Sequence, residues 1–258
     1  MNDTAIRIIT AKPGATHLFF LGQAGFVVKS GSGILLGIDL YLSNCVERVE
    51  GHIGYKRLIP SMLTPEELTF DYLIATHPHF DHFDMDAVPI MMSNGKTRLY
   101  ASVNCEAEVK RLMMTNERIT YVEAGDSTVM DDIKVQFVPC DHGTGAQDAV
   151  GVVIAVDGKT IYIAGDTCLR LDSAAELQKD FGAGLDVLIA PINGAYGNLN
   201  EGECVALSRA LHPCLTIPCH YGMFASHGGN PGAFMERMNQ ELPQQKYLLM
   251  APGEQLTL

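Results

Sequence analysis

The stretch Thr76-His77-Pro78-His79-Phe80-Asp81-His82-Phe83-Asp84 comes directly after the apolar run Tyr72-Leu73-Ile74-Ala75. Three imidazoles and a carboxylate crowded behind a buried strand are costly to place for structure alone, and they demand a fold that gathers strand ends. Imidazole and carboxylate are the donors that suit zinc, manganese and iron. Residues two apart in an extended segment point the same way, so His77 and His79 can grip one ion. Asp81 and His82 begin the following turn and are redirected toward a second ion nearby. Three more candidates close apolar strands: His142 after Phe137-Val138-Pro139-Cys140, Asp166 after Ile161-Tyr162-Ile163-Ala164-Gly165, and His220 after Thr216-Ile217-Pro218-Cys219. Together these donors read as a metal site.

The rest of the chain bounds what can surround it. With 258 residues, 47% hydrophobic and 19% charged, the sequence suits one compact domain over 1–258. No apolar run approaches the roughly 20 residues of a membrane span, and no basic segment leads into an apolar one as in a secretory signal. Seven cysteines are scattered without CxxC spacing, which reads as reduced thiols in a cytoplasmic protein. A net charge of −12 and the absence of Trp argue against general nucleic-acid binding, since phosphate affinity rests on Lys and Arg. Small anionic substrates stay open, because an acidic total can hide a local basic pocket or bound cations.

Periodicity and turn residues predict strands at 16–21, 26–30 and 34–39, then a loop at 42–63 that carries Arg48, His52, Lys56 and Arg57. A short helix start is expected at 64–68, a strand at 72–75, and helices at 84–92 and 104–114. Strands follow at 119–122 and 133–138, and Asp157-Gly158 joins 150–156 to 160–164 as a hairpin. The remainder alternates: helix 173–181, strand 187–190, helix 202–211, strand 215–218, helix 231–241. Two facing sheets with helices outside both satisfy this order.

The motif, the later His142, Gly165-Asp166-Thr167 and the strand-end His220 resemble the metallo-β-lactamase-fold hydrolases from Phe20-Leu21-Gly22 to His220. The resemblance implies a four-layer αββα sandwich of two mixed sheets, an α/β (α+β) fold. It implies two divalent ions, with His77, His79 and His142 on the first, Asp81, His82 and His220 on the second, and Asp166 between them. Within that superfamily the sequence is most similar to the L-ascorbate-6-phosphate lactonase-like group. That likeness lies in Asp39-Leu40-Tyr41-Leu42, Lys56-Arg57-Leu58-Ile59-Pro60, Ala195-Tyr196-Gly197-Asn198 and Cys219-His220-Tyr221. This chain is shorter than the group and has Pro78 and Phe80 where its motif is more polar.

The expected chemistry is hydrolysis of a small anionic ester or lactone, a sugar-phosphate lactone among the candidates, by a hydroxide bridging the two ions. Asp81 is the catalytic candidate, orienting that hydroxide and taking its proton. A donor set without thiolate suits Mn²⁺, Zn²⁺ or Fe²⁺. Asp39 either caps a turn or hydrogen-bonds a ligand histidine. His52 and His227 lie in Gly-rich loops, as surface residues or as substrate contacts. Tyr196 and Asn198 follow a strand end, where they build either the loop or the pocket. Arg48, Lys56 and Arg57 form either a solvated face or an anion contact. Cys140 and Cys219 read as core packing. Phosphodiester cleavage is the alternative reaction. Di-iron redox chemistry and metal sensing rank below it, the first because redox members of the fold generally carry Glu where this chain has His79, the second because all seven ligand positions are filled. Homo-oligomer formation is left open.

Overall fold

Strands apolar at consecutive positions need cover on both faces, and the computed structural model, which describes residues 1–143, 146–181 and 184–258, shows where that cover comes from. Strands β1 (His17–Gly22), β2 (Gly25–Lys29), β3 (Leu35–Ile38), β4 (Tyr72–Ala75), β5 (Arg98–Ser102) and β6 (Ile119–Val122) line up in chain order in the first sheet. The second sheet runs from β7 (Ser127–Met130) through β8 (Ile133–Pro139), β9 (Val150–Val156), β10 (Lys159–Ile163) and β11 (Val187–Pro191) to β12 (Leu215–Cys219). The last strand, β13 (Gln255–Thr257), pairs antiparallel with β1 on the first sheet. Each sheet is mixed, antiparallel where hairpins connect it and parallel where helices cross over.

Alternation sorts the side chains into layers. Leu18, Phe20, Phe26 and Val28 meet Val152, Ile154 and Ile163 between the sheets. On the outer face of the first sheet, Phe19 and Val27 pack with Ile8 of α1 (Asp3–Thr10). The loop before β4 carries α2 (Cys45–Glu50). Val88 and Met91 of α3 (Ala87–Met92) and Val109 of α4 (Glu106–Arg111) complete that outer layer. Outside the second sheet, Val153, Tyr162 and Leu188 are covered by α5 (Leu171–Phe181), α6 (Glu201–Leu211) and α7 (Pro231–Glu241), through Leu177, Val205 and Phe234. This is the αββα sandwich. Among the described residues no helix is long and apolar enough to cross a membrane.

Register brings the donors together. Ile38 pairs with Ile74 in parallel, so the residues just beyond β3 and β4 emerge side by side. Ile163, Ile189 and Ile217 are likewise in register across β10, β11 and β12. The residues that follow these parallel strands therefore converge at one end of the sandwich. The hairpin at Asp157-Gly158 has φ +49° and +75°, the left-handed pair that a type I′ turn requires.

Several elements differ from the sequence expectation. Residues 64–68 form a single hydrogen-bonded turn instead of a helix: the Glu67 carboxylate accepts the N–H groups of Thr64 and Asn2, folding the turn back on itself. The helix expected at 104–114 begins as a 3₁₀ turn (Val103–Cys105) and ends early, since Met113 adopts φ +52°. The 42–63 loop contains α2 and a further 3₁₀ turn (Gly51–Ile53). Strands β5, β7 and β13 and helix α1 lie outside the expectation altogether.

Candidate metal centre

Asp39, just past β3, sits at φ +49° and is fully buried. Its Oδ1 accepts the Thr76 backbone N–H at 2.8 Å, and its Oδ2 accepts the Thr76 hydroxyl at 2.7 Å. The same Oδ2 lies 2.8 Å from His82 Nδ1, which assigns the proton of that nitrogen and aims His82 Nε2 inward. Asp39 therefore braces a histidine of the cluster, the second of the two roles its sequence position allowed.

His77 and His79 leave β4 with Pro78 between them, and His77 Nε2 comes 3.0 Å from His79 Nδ1. His142, beyond β8, brings its Nε2 to 3.0 Å from the same nitrogen. The chain then turns, with the N–H groups of His82 and Phe83 both donating to the His79 carbonyl, and this redirects Asp81 and His82. His220 enters from β12 at φ +61°, its backbone N–H bonded to Gln23 O at 2.7 Å. Its Nε2 lies 3.3 Å from His82 Nε2 and 3.4 Å from Asp81 Oδ2. Asp166 reaches between the two groups: Oδ1 is 3.3 Å from His82 Nε2, and Oδ2 is 3.1 Å from His220 Nε2 and 3.8 Å from His142 Nε2. The seven donors form three overlapping triads, His77–His79–His142, His77–His82–Asp166 and Asp81–His82–His220, each with ligand atoms within 4.8 Å of one another.

The electrostatics suit a cation. Burial, reinforced by nearby His82, pushes His77 well below the usual histidine range. Burial likewise lowers His142 to about 4, so two neutral imidazoles aim lone pairs at one point. Burial also opposes a charge on His82 and His220, but their carboxylate neighbours outweigh it. His82 is held well above its ordinary value, and His220 is raised to about 9, with Asp166 the leading cause in each. Asp81 and Asp166 would be raised by burial, yet the same two imidazoles hold both well below the carboxylate range. Asp166 Oδ1 is buried and, the His82 Nε2 contact at 3.3 Å aside, makes no hydrogen bond. Such a set of converging nitrogen and oxygen donors, with an unsatisfied carboxylate oxygen among them, fits divalent metal. The adjacent thiols take no part: Cys140 Sγ donates to the Asp166 backbone carbonyl, and Cys219 is buried between the sheets.

The centre forms the floor of a cavity of about 390 Å³, where His79, Asp81, His142, Asp166 and His220 are exposed to it. Asn198 also lines it and donates Nδ2 to Asp166 Oδ2 at 2.7 Å. Tyr196 stands at the wall, as does His227, whose ring lies 5.2 Å from His220 and 5.4 Å from Tyr196 between centroids. The four other singled-out residues lie elsewhere. His52 and Lys56 are exposed and outside the lining. Arg48 binds both Asp86 oxygens at 2.7 and 2.8 Å. Arg57 is buried, gives its N–H groups to the carbonyls of Ile59, Ser43 and Tyr41, and covers the Tyr41 ring at 4.3 Å.

Sequence reasoning passed over Gln23, Tyr55 and Glu50. Gln23 donates Nε2 to Asp81 Oδ2 at 2.7 Å from a left-handed turn position, φ +55°. Its one signal was an amide at the tip of an otherwise apolar hairpin. Tyr55 and Glu50, both from the 42–63 loop, stand in the cavity wall.

A sequence profile of the beta-lactamase superfamily domain matches residues 41–221, the span that holds all seven donors. The chain belongs to the metallo-β-lactamase superfamily. Within this superfamily, a UPF0173 metal-dependent hydrolase of Thermococcus onnurineus is 30% identical, covering 93% of this chain and 98% of its own. The chain is thus a metal-dependent hydrolase of that family. Two solved structures share the superfamily fold. One is Igni18, a metallo hydrolase from Ignicoccus hospitalis (TM-score 0.74, 22% identity, 95% of this chain and 98% of that one). The other is an isothiocyanate hydrolase from Delia radicum gut bacteria (TM-score 0.74, 18% identity, 94% and 98%). At these identities the likeness is one of fold alone.

Proposed function

We propose that the protein is a dinuclear hydrolase of small carbonyl compounds, esters or lactones. One observation carries the reading: Asp166 stands between the His77–His79–His142 and Asp81–His82–His220 triads and touches both, with one carboxylate oxygen unsatisfied. His77, His79 and His142 would hold one ion, Asp81, His82 and His220 the other, and Asp166 would join them. Two divalent ions there would lower the pKa of a shared water toward neutrality and polarise the attacked oxygen. Gln23 steers Asp81 by its hydrogen bond, and Asn198 steers Asp166. Asp81, open to the cavity, is placed to take a proton from the attacking water. The water oxygen then bonds to the carbonyl carbon, the bond to the leaving oxygen breaks, and that oxygen receives the proton from Asp81.

The lactonase-like segments of the sequence support a lactone. Their basic loop lends no support to a phosphate on it, since Arg48, Lys56 and Arg57 are outside the cavity lining. The donor set accommodates Mn²⁺, favoured by that likeness, as well as Zn²⁺ or Fe²⁺.

The test joins metal analysis to an activity panel of a lactone, a simple ester, an isothiocyanate and a phosphodiester, with Mn²⁺ or Zn²⁺ added. About two metals per chain and turnover of the ester or lactone are expected. Asp81→Asn should lower kcat by roughly 10²–10⁴-fold. Turnover of the phosphodiester alone would move the function to that reaction. Fewer than about half a metal per chain after reconstitution, or an Asp81→Asn protein with full activity, would end the proposal.

A further inference from the structure

Above the metal donors, the cavity wall is aromatic, aliphatic and acidic. Tyr55 and Tyr196 face each other with centroids 6.0 Å apart, Tyr55 lies 5.2 Å from the His227 ring, and Phe80, Pro78 and Val46 complete the apolar surface. The charged side chains of the wall besides Asp81 and Asp166 are Glu50 and Glu108, and among the described residues no Lys or Arg lines it. Glu108 is neutralised by Arg111, whose guanidinium binds Oε2 and lies 5.7 Å from the centre of the Phe80 ring. Among the described residues no ion pair reaches Glu50. The bases of the surrounding loop are held off the cavity, Arg48 on Asp86 and Arg57 on backbone carbonyls.

Resting on the hydrolase reading above, we infer that the site selects uncharged substrates carrying a flat apolar group and rejects those with a remote anionic group. The apolar group packs against Tyr55 and Tyr196, which present large, stiff faces at low entropic cost. An anion beyond the metal centre meets the Glu50 carboxylate, with no Lys or Arg among the described residues lining the wall to offset it, so selection works by repulsion as well as by fit. Glu50, Tyr55 and Tyr196 are specificity-determining residues, touching the part of the substrate that does not react.

A matched pair tests this on the metal-loaded protein: 4-methylphenyl acetate and 4-sulfophenyl acetate, whose charge lies far from the ester. The neutral ester should have the higher kcat/KM by roughly tenfold or more. Glu50→Gln should narrow that ratio several-fold, Glu50→Lys should narrow it further or reverse it, and Tyr196→Ala should raise KM for the neutral ester with kcat little changed. Metal content and Tm of each variant exclude loss of the fold or the centre. Calorimetric binding of the amide counterparts, 4-methylacetanilide and 4-acetamidobenzenesulfonate, separates the two proposals. If neither ester is cleaved, the ester reading fails, and tighter binding of the neutral amide still upholds the selectivity. Equal or better use of the sulfonate by the unaltered protein, in turnover or in binding, overturns the inference, as does a ratio unmoved by Glu50→Lys.

Discussion

Asp39 shows how one buried carboxylate can set the state of a metal centre it does not enter. Its Oδ2 is shared between the Thr76 hydroxyl and His82 Nδ1, so its charge fixes both the tautomer and the aim of that ring. It does this from a left-handed backbone position, which costs a non-glycine residue of order 1 kcal/mol and persists because three hydrogen bonds over-determine it. Asp39→Asn keeps the shape and removes the charge. Metal affinity should fall roughly 10–100-fold in a chelator competition, and an unchanged affinity would count against the bracing role. At this scale the donors were legible because each follows an apolar strand, a signature contained in a few consecutive residues. The wall was not. His52 and His227 both lie in Gly-rich segments, yet one is exposed and the other packs 5.2 Å from His220. That difference arises from which segment folds over the cavity, and no neighbouring residue in the sequence encodes it. The same holds for Arg57, a base whose guanidinium is directed to the carbonyls of Tyr41, Ser43 and Ile59.

Helix α3 begins on an anchor of a similar kind. Fully buried Asp84 accepts the N–H groups of Asp86 and Ala87 on Oδ1, and those of Leu42 and Ser43 on Oδ2. The Ser43 hydroxyl adds a fifth bond at 2.6 Å. One side chain thus satisfies the first turn of a helix and pins the start of the loop that carries Glu50 and Tyr55. Asp84→Ala should cost about 3–5 kcal/mol, since it strands several buried donors, and should lower Tm by roughly 10 °C in a thermal melt. Asp86→Ala, which breaks only the exposed pair with Arg48, should stay within about 1 kcal/mol. Similar melts for the two variants would remove Asp84 from this role. The elements that were legible are those whose own residues carry a period or a turn signal, such as the Asp157-Gly158 hairpin. Strand β13 has three residues and exists because β1 offers it an edge. Strand β7 is half polar and, among the described residues, pairs with β8 alone. The turn at 64–68 bears the residues of a helix start, and the Glu67 carboxylate, bonded to Asn2 as well, closes it after one turn.

At the scale of the whole molecule, burial holds several thiols and phenols in their neutral forms. Burial raises the thiols of Cys105 and Cys204 from 9.0 to about 12, and the Tyr72 phenol from 10.0 to about 12. The folded chain thus keeps protons that the unfolded chain releases at lower pH. Their contribution to stability is complete below about 9 and is lost as pH climbs from about 9 through 12. Tm should therefore fall progressively over that window, and a flat profile would contradict it. Cys214 is the exposed thiol among seven free cysteines, so alkylation of the native protein at pH 8 should mark it first in a mass-spectrometric time course. Simultaneous labelling of several thiols would show that the layers open more readily than their packing implies.

The first sheet delivers His77, His79, Asp81 and His82, and the second delivers His142, Asp166 and His220, so neither sheet owns a complete triad set. Metal held by these triads would work as a clasp across the seam of the sandwich, its grip registering how firmly the two halves are pressed together. Its affinity would then depend on packing between the sheets, at residues far from any donor. For the same reason a growing polypeptide completes the three triads one after another, the last of them only when residue 220 has been made and β12 has docked.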